Sequence, residues 1–572
     1  MALRIPPRVA AGVGWFLLVF LGAACAPTAP PAPAAPEVER ITDPLAQVAT
    51  SSEGMVSSAS PWATEAGARV LARGGNAVDA AVATGFVLAV TEPTMSGIAG
   101  RAAIVLRTPD GSVHGIDGLN VVPAGYGDGG SPGYERAAVP GMVAALARLQ
   151  REHGSWPLAR VLDDAIRLAE EGFPLPSGEA VRLAANAETL AAHPGSRAIW
   201  LRPDGTPWAE GEILRQPQLA TVLRAIAEEG VEVFYRGWIA DSIHVDMERS
   251  GGFITRDDLA AYEAIDAIQV TGRYRGHTLH GTFRPASGHS VIQALQTLEA
   301  IPESPALLGD EGAWGTLVGQ AMHFALQDRT RREGSEVESA AFLTSPAHAR
   351  ERAAQLRLPE TGTGSDVGEL TLFVPEAGVR GDLLVADPGD REATTHFTVA
   401  DAEGRVVVAT TSLGPAAGTG VASPSLGFFY ATRLGSAPGS RPSSTIAPTL
   451  VVDPSGAPLF ALGGAGDARI ISAVIQVISR RIDQGLPLHE AVAAPRLHPI
   501  SAEEMRLETP EGQLLWSSGA QATLERAGLE RSTAPPGYFG RVHAVEFTDS
   551  GILGVAEPRW GGSAAGPLGP SP

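Results

Sequence analysis

The sequence predicts an α+β sandwich, in which antiparallel sheets pack against each other and helices cover them outside. Two observations support this fold class. Apolar helical segments lie both before and after a set of β-hairpins, and no segment of about 20–50 residues repeats, which excludes solenoids and propellers. Each hairpin consists of two apolar runs joined by a turn that contains Asp and Gly. The four hairpins are residues 102–116, 395–409, 449–462 and 542–555.

The predicted helices begin with a pair near residue 60. Ser60 is a typical N-cap, Pro61 suits the first helical position, and Gly74 with Gly75 ends the segment. Residues 77–90 form a second helix that is apolar on nearly all sides, so we expect it to be buried. Further helical segments are predicted at residues 141–149, 158–171, 219–229, 257–262 and 470–484.

The length and charge of the chain limit its function. With 572 residues, the chain exceeds the roughly 250–300 residues of a single core, so we expect two or more closely integrated domains. The composition is 44% hydrophobic and 19% charged, which is typical of a globular protein rather than a disordered one or a coiled coil. The net charge of −20 would repel phosphate backbones, so nucleic acid is not an expected partner.

The N-terminus has the pattern of an export signal at residues 1–24. Arg4 and Arg8 precede an apolar run that is shorter than the roughly 20 residues of a membrane-spanning helix. Small residues then lead to Cys25, the single cysteine, which resembles the lipidated first residue of a mature bacterial lipoprotein. We therefore expect a lipid anchor in a membrane and a body that faces the periplasm; the alternative is ordinary cleavage beside a chance cysteine. Residues 25–40 are rich in Pro and Ala and are predicted to be an extended tether.

A threonine lies where a polar linker meets a predicted strand. Residues 386–393 are turn-rich, and Thr394, Thr395 and His396 follow directly. A threonine hydroxyl is a weak nucleophile unless a base takes its proton, and its own α-amine, with a pKa of about 7.7–8.0, is a suitable base. That amine exists only if the chain is cut between Ala393 and Thr394, and the hydroxyl can make the cut by attacking the preceding carbonyl. The alternative is that the threonines only begin a strand, where β-branched residues are favoured.

Two further segments carry groups that can bind polar ligands. Residues 462–470 form a Gly-rich turn from a strand into a helix, whose amides can bind an oxyanion, a carboxylate or a phosphate; a tight turn without a ligand explains the pattern equally well. Residues 441–448 carry hydroxyls that can hold a polar substrate or simply form a turn. The thirteen histidines are scattered, and His277 and His280 are expected on opposite faces of a strand. The sequence predicts no metal site and no cofactor.

Taken in order, the segments from residue 54 to residue 566 resemble the γ-glutamyltransferase family of N-terminal nucleophile hydrolases. The most telling are the helix that contains Asn76 and Asp79 and the strand that begins with Thr394. The matching segments are residues 74–83, 139–141, 251–262, 274–276, 394–396, 441–444, 469–470, 494–496 and 557–559.

This resemblance implies a four-layer αββα sandwich that is made as a precursor. The precursor would cut itself before Thr394 into a large subunit, residues 41–393, and a small subunit, residues 394–572, which stay together as a heterodimer. Thr394 would be the nucleophile, and its amine would be the base.

The resemblance also implies the substrate and the groups that bind it. The family removes γ-glutamyl groups from glutathione or related amides through an acyl-threonine intermediate and passes them to water or to an amino acid. Ser412 matches a threonine that is hydrogen bonded to the nucleophile, and Gly466 matches the first of two oxyanion-hole glycines. Ser444 and Thr445 match paired hydroxyls that hold the substrate carboxylate.

Four positions depart from the family pattern around the α-amino-acid group of the substrate. Leu119 replaces the arginine that pairs with the substrate carboxylate, and Ser436 replaces the acid that receives the ammonium group. Gly414 replaces an asparagine, and Asp467 replaces the second oxyanion glycine, where a carboxylate opposes the developing negative charge unless it points away. Arg101 lies in the family's Gly-rich loop and is a candidate substitute for the lost cation.

We therefore expect an exported, lipid-anchored, self-processing threonine amidohydrolase that acts on γ-glutamyl or related acyl amides. A related group in the same superfamily cleaves acyl side chains from cephalosporin-type amides, so another carboxylated acyl group is an alternative donor. A different alternative is a non-catalytic pseudoenzyme of the same fold that binds a ligand or partner in the cell envelope. A third is an unrelated lipoprotein that serves as a solute receptor.

Overall fold

Antiparallel strands form the centre of the fold in this computed structural model, which describes residues 47–302, 304–359, 392–509, 516–534 and 537–567. In chain order the strands are β1 (Val48–Ser51), β2 (Gly54–Ser58), β3 (Arg101–Arg107), β4 (Val113–Gly118), β5 (Phe173–Pro174), β6 (Ile213–Leu214), β7 (Ile265–Asp266), β8 (Gln269–Tyr274), β9 (His277–Thr282), β10 (Glu392–Asp401), β11 (Val406–Pro415), β12 (Thr449–Val452), β13 (Pro458–Ala465), β14 (Leu497–Pro499), β15 (Glu504–Leu507), β16 (Glu530–Thr533), β17 (Arg541–Thr548), β18 (Gly551–Val555) and β19 (Ser563–Ala565).

Fourteen of these strands form two seven-stranded sheets. The first sheet has the order β1-β18-β17-β13-β12-β9-β8, and the second has the order β19-β2-β10-β11-β3-β4-β7. Neighbouring strands are antiparallel in both sheets. The small sheets β14-β15-β16 and β5-β6 lie outside this pair.

The helices lie between these strands in the chain, mostly in consecutive groups. They are α1 (Pro61–Ala72), α2 (Ala77–Thr91), α3 (Met142–His153), α4 (Leu158–Val161), α5 (Asp163–Glu171), α6 (Ser177–Ala185), α7 (Ala187–Ala192), α8 (Pro194–Trp200), α9 (Pro217–Glu229), α10 (Glu232–Tyr235), α11 (Trp238–Ser250), α12 (Arg256–Ala260), α13 (Gly288–Glu299), α14 (Ser304–Leu307), α15 (Glu311–Asp328), α16 (Glu336–Leu343), α17 (Pro346–Ala353), α18 (Ala468–Ile482), α19 (Leu488–Ala493) and α20 (Ser518–Arg526).

The apolar side chains divide the fold into four layers. Between the sheets, residues of both pack together, among them Met55, Val105 and Ala461. Helices α1 to α3 pack with β10 and β11 in one outer cluster, and α13, α15 and α18 pack with the first sheet in another. Helix α2 is buried at every residue because it lies inside the first of these clusters. This arrangement confirms the predicted αββα sandwich.

Most of the predicted elements are confirmed. The four hairpins are the pairs β3-β4, β10-β11, β12-β13 and β17-β18. Helix α1 begins at Pro61 after Ser60. The single helix predicted at residues 158–171 is wrong in its continuity, because Leu162 separates α4 from α5.

The hairpin β8-β9 and the helices α13 and α15 were not predicted from the sequence. The turn of that hairpin has Arg275 at φ +50° and Gly276 at φ +81°. Both residues therefore occupy the left-handed region, and arginine is not a residue that signals such a turn. His277 and His280 lie in β9, as predicted.

Two sets of predictions concern residues outside the described ranges. These are the export signal, Cys25 and the tether at the N-terminus, and most of the linker that precedes Thr394. Within the described ranges, none of the helices combines the length and the apolar character that membrane crossing requires.

Candidate active site

The predicted nucleophile lies near the start of β10, in the middle of the second sheet. The strand runs unbroken through Ala393 and Thr394, so the geometry is that of the uncut chain. The register against β11 shifts between these two residues, which makes a β-bulge. Bulges re-aim side chains and are frequent beside active sites. Thr394 is only 2% exposed at this position.

Ser412 on β11 is paired with Thr394 in the sheet register. Thr394 Oγ1 donates a hydrogen bond to Ser412 Oγ over 3.2 Å, and Ser412 Oγ donates to the carbonyl oxygen of Ala393 over 2.7 Å. The backbone N–H of Gly414 donates to the same Ser412 oxygen over 2.9 Å. The serine hydroxyl therefore bridges the predicted nucleophile and the carbonyl of the bond that we predict to be cut.

Arg101 lies on β3, the next strand of the sheet, directly opposite Ser412. Its Nη2 donates to Ser412 Oγ over 3.3 Å, and its Nη1 donates to the carbonyl oxygen of Thr432 over 3.1 Å. Arg101 is 1% exposed. The structure thus brings this candidate residue to the hydroxyl beside the nucleophile, and its role in substrate binding stays a prediction.

Leu119 lies directly after β4, on the opposite side of β3 from β11. It follows Gly118, which pairs with Ala102 across β3 and β4. Its side chain is buried in a small apolar cluster with Ala103, Ala286 and Ile446. The position where the resemblance implies an arginine is therefore occupied by apolar packing.

The predicted oxyanion turn connects β13 to α18. Gly466 has φ +123° and Asp467 has φ +52°, in the region that favours glycine. Asp467 Oδ1 accepts a hydrogen bond from Thr445 Oγ1 over 3.2 Å, so the carboxylate is held by one of the hydroxyls predicted to bind substrate. Burial lowers the pKa of Arg329, and attraction to Asp467 opposes this shift. The oxyanion role of the two amides stays a prediction.

Ser444 lies in the loop before β12 and is held mainly by its backbone. Its N–H donates to the carbonyl oxygen of Pro285 over 2.6 Å, and its own carbonyl accepts from Ser287 Oγ over 2.6 Å. Its Oγ accepts from the N–H of Ile446 over 3.4 Å. Pro285 and Ser287 lie directly before α13, a helix that was not predicted from the sequence.

The two groups of candidate residues belong to strands that face each other across the sandwich. Gly463 on β13 packs directly against the imidazole of His396 on β10, and a side chain at residue 463 would collide with that ring. This contact brings the end of β13, which leads to Gly466, towards the start of β10, which carries Thr394. His396 itself is buried between the hydroxyls of Thr410 and Thr398, and burial holds its pKa well below the usual range. We therefore assign His396 a structural role as a neutral side chain.

A buried carboxylate beside the nucleophile was not predicted from the sequence. Thr395 Oγ1 donates to Glu92 Oε2 over 2.6 Å, and Trp560 Nε1 donates to Glu92 Oε1 over 3.3 Å. Burial raises the pKa of Glu92, and attraction to Arg182 opposes this shift. The two partners of the shorter bond are 303 residues apart in the chain, so no local pattern could reveal the contact.

These features define the class of the protein. Two facing antiparallel sheets between helical layers, with a buried threonine hydroxyl beside the carbonyl of the preceding residue, are those of an N-terminal nucleophile hydrolase. Residues 63–567 match the family model described as gamma-glutamyltranspeptidase, and the chain belongs to this family.

Relatives in this family cover nearly the whole chain. The glutathione hydrolase proenzyme of Escherichia coli is 31% identical over 94% of this chain and 95% of its own length. The acylase ACY 1 proenzyme of a Pseudomonas species is 33% identical over 88% of this chain and 92% of its own length. Among solved structures, the cephalosporin acylase from Bacillus halodurans matches with a TM-score of 0.77 and 27% identity, over 91% of this chain and 97% of that one.

These relatives decide between the alternatives that the sequence left open. They are named as hydrolases and acylases, so the chain is an enzyme of this class rather than a non-catalytic binding protein of the same fold. The family match also excludes an unrelated solute receptor.

Proposed function

We propose that this chain cuts itself before Thr394 and then uses the new N-terminal threonine to hydrolyse or transfer the acyl group of small-molecule amides. One observation carries the proposal. Thr394 Oγ1 and the carbonyl oxygen of Ala393 are both hydrogen bonded to Ser412 Oγ, at 3.2 and 2.7 Å, at a buried β-bulge. A nucleophile, the carbonyl that it would attack and a donor to that carbonyl are therefore within reach of one another.

The self-cleavage follows from these contacts. Thr394 Oγ1 attacks the carbonyl carbon of Ala393, and negative charge develops on the carbonyl oxygen, where Ser412 donates its hydrogen bond. The C–N bond then breaks as the proton lost from Oγ1 passes to the nitrogen, which leaves an ester between Ala393 and the Thr394 oxygen and a free α-amine on Thr394. Water hydrolyses this ester, which releases a carboxylate on Ala393 and restores the hydroxyl of Thr394.

The same threonine then acts on substrate. Its α-amine, with an ordinary pKa of about 7.7–8.0, takes the proton from Oγ1 as the oxygen attacks the substrate carbonyl. The amine of the substrate leaves, and water or an amino acid removes the acyl group from the threonine ester. The amides of Gly466 and Asp467 are the proposed oxyanion donors, because the carboxylate of Asp467 is held by Thr445.

The donor that we propose is an amide whose acyl group is bound by Ser444 and Thr445. Relatives of this chain include glutathione hydrolases and acylases, so both γ-glutamyl and other acyl groups are candidates. The apolar cluster of Leu119 and Ile446 favours the other acyl groups. A leucine offers no fork of N–H donors to an α-carboxylate, so the γ-glutamyl headgroup loses its usual anchor.

We also propose that the enzyme is exported and anchored by a lipid on Cys25, with its body in the periplasm. The support is the charged, apolar and small-residue order of the first residues and the position of the single cysteine. Mass spectrometry of the mature N-terminus tests this proposal: a diacylglyceryl group on Cys25 is expected, and Cys25→Ser should move the protein from the membrane to the soluble fraction. An unmodified N-terminus would contradict it.

Intact mass and N-terminal sequencing of the purified protein test self-cleavage. Wild type should give a fragment that begins at Thr394. Thr394→Ala should remain whole because it has no hydroxyl, whereas Thr394→Ser keeps the hydroxyl and should still cleave. The processed protein should then release p-nitroaniline from acyl p-nitroanilides. An intact wild-type chain, or cleavage that persists in Thr394→Ala, would contradict the proposal.

A further inference from the structure

A guanidinium group lies two strands away from the predicted nucleophile, with β11 between them. Thr394, Ser412 and Arg101 occupy matching positions on the adjacent strands β10, β11 and β3. Because paired residues on neighbouring strands point to the same face of a sheet, their side chains form one row. All three residues are buried, so contacts within this row are not exchanged with bulk water.

The donors around Ser412 determine where its own hydrogen points. Arg101 Nη2, the N–H of Gly414 and the hydroxyl of Thr394 all donate to Ser412 Oγ. A guanidinium and a backbone N–H can only donate, so neither can accept the single hydrogen of the serine. Of the two oxygens that remain as acceptors, the hydrogen is directed to the nearer one, the carbonyl oxygen of Ala393 at 2.7 Å, rather than to Thr394 Oγ1 at 3.2 Å.

We propose that Arg101 is a positioning residue for self-cleavage: through Ser412 it directs a hydrogen bond to the carbonyl that Thr394 attacks. This inference rests on the proposed self-cleavage. A charged donor also polarises the hydroxyl to which it donates, so Ser412 becomes a stronger donor as negative charge develops on the Ala393 oxygen. Arg101 does not itself touch the reacting atoms.

The neighbouring glycine supports this assignment. A Cβ placed on Gly414 would lie 2.9 Å from Arg101 Nη2, so a side chain at residue 414 would displace the guanidinium. Gly414 also has φ +95°, which glycine adopts without strain. The arginine at residue 101 and the glycine at residue 414 are therefore complementary, because the arginine fills the space that a side chain at residue 414 would need. The carbonyl of Thr432 fixes the other end of the guanidinium.

The test measures the rate at which purified precursor is converted to the fragment that begins at Thr394. Loss of a hydrogen bond from a charged group predicts that Arg101→Gln cleaves about 10- to 100-fold more slowly than wild type. Arg101→Gly should be equally slow, and sub-denaturing guanidinium should restore part of its rate because it can occupy the vacated space. Arg107→Gln is the matched control: Arg107 is a buried arginine on the same strand, it donates to the carbonyls of Gly404 and Gly456, and its loss should leave the cleavage rate unchanged.

A second measurement separates positioning from folding. In the uncleavable Thr394→Ala background, adding Arg101→Gln should preserve most of the free energy of unfolding, measured by urea titration. A slow Arg101→Gly that guanidinium does not rescue, together with a collapse of stability in this background, would mean a structural role and would overturn the inference.

The outcomes for the two proposals are distinguishable. If wild type does not cleave, both the proposed function and the role of Arg101 fail. If wild type cleaves and Arg101→Gln cleaves at the same rate, only the role of Arg101 fails. If that variant cleaves normally but has a raised KM for donors with a carboxylated acyl group, Arg101 binds substrate instead.

Discussion

Replacement of Ser412 by alanine isolates the hydrogen bond to the bond that is cut. The serine hydroxyl lies 2.7 Å from the carbonyl oxygen of Ala393 and accepts from Thr394 over 3.2 Å. During attack, the carbonyl oxygen gains negative charge, and the serine acts as a donor to that charge in a site without bulk water. Removal of one such donor in other enzymes costs about 2.7–4 kcal/mol, which is about 100- to 1000-fold in rate. We expect Ser412→Ala to slow self-cleavage by that factor.

The same substitution should also reduce the stability of the uncut chain. The N–H of Gly414 and the Nη2 of Arg101 lose Ser412 Oγ as an acceptor in a buried environment. Each buried donor that loses its acceptor costs about 1–3 kcal/mol. Urea unfolding of Ser412→Ala in the Thr394→Ala background measures this loss without interference from cleavage.

The assay is a time course of intact mass on purified precursor. Cleavage is intramolecular, so its rate should not change when the protein is diluted. Ser412→Thr keeps the hydroxyl and is the matched control that should still cleave. Cleavage of Ser412→Ala at the wild-type rate would refute the assignment of Ser412 as the donor to the scissile carbonyl.

Three further substitutions test the surroundings of the site and the core. Leu119→Ala should lower the free energy of unfolding by about 2–5 kcal/mol because it leaves a cavity, and Leu119→Met by less than about 1.5 kcal/mol; equal effects in urea titration would contradict this. Asp467→Gly should relieve about 1 kcal/mol of backbone strain at φ +52°. It should also raise kcat/KM for an anionic acyl donor relative to a neutral donor of equal length, because it removes a like charge. An unchanged ratio of the two kcat/KM values would argue against a carboxylate near the bound acyl group. Glu557→Gln should cost about 3–5 kcal/mol at neutral pH, because it removes the carboxylate shared by Arg496 and Arg559. Burial opposes ionisation of Glu557, but the two arginines lower its pKa to about 2. A carboxyl pKa that is lowered in the folded state stabilises the protein above the ordinary carboxyl range, and this stabilisation is lost as the pH falls towards 2. The difference in free energy of unfolding between wild type and Glu557→Gln should therefore shrink in acid.

The sequence predicts the parts of this fold that depend on local chemistry. Two apolar runs and a turn with Asp and Gly make up each of the hairpins β3-β4, β10-β11, β12-β13 and β17-β18. The pairing of each hairpin can therefore be predicted from a segment of about fifteen residues. Thr394 is recognisable because a polar linker ends directly before it and a predicted strand begins there. The hairpin β8-β9 is missed because its turn uses Arg275 at a positive φ, where glycine or asparagine is expected.

The contacts that complete the site depend on pairing between distant segments. Arg101 is 311 residues from Ser412, and its proximity follows only from the order of strands β10, β11 and β3. The bond from Thr395 to Glu92 spans 303 residues. Periodicity and turn residues carry no information about such pairs, so the sequence can identify the candidate residues without identifying their partners.

The departures from the family pattern look independent of Arg101 in the sequence, but one of them, Gly414, is linked to this arginine in the structure. Gly414 leaves the space that the guanidinium of Arg101 occupies. Leu119 follows β4, on the other side of β3 from Ser412, and packs in an apolar cluster. Where the family pattern implies a cation at residue 119, the cation of this chain therefore lies one strand closer to the nucleophile. If the site had lost its function, substitutions would be expected to remove the hydrogen-bond partners of Ser412 one by one. Instead, this hydroxyl keeps the predicted nucleophile and the carbonyl of the bond predicted to be cut as partners, and it also accepts from a charged donor. The contacts of Arg101 and Gly414 thus favour a rearranged site over a decayed one, which is what the proposed self-cleavage requires.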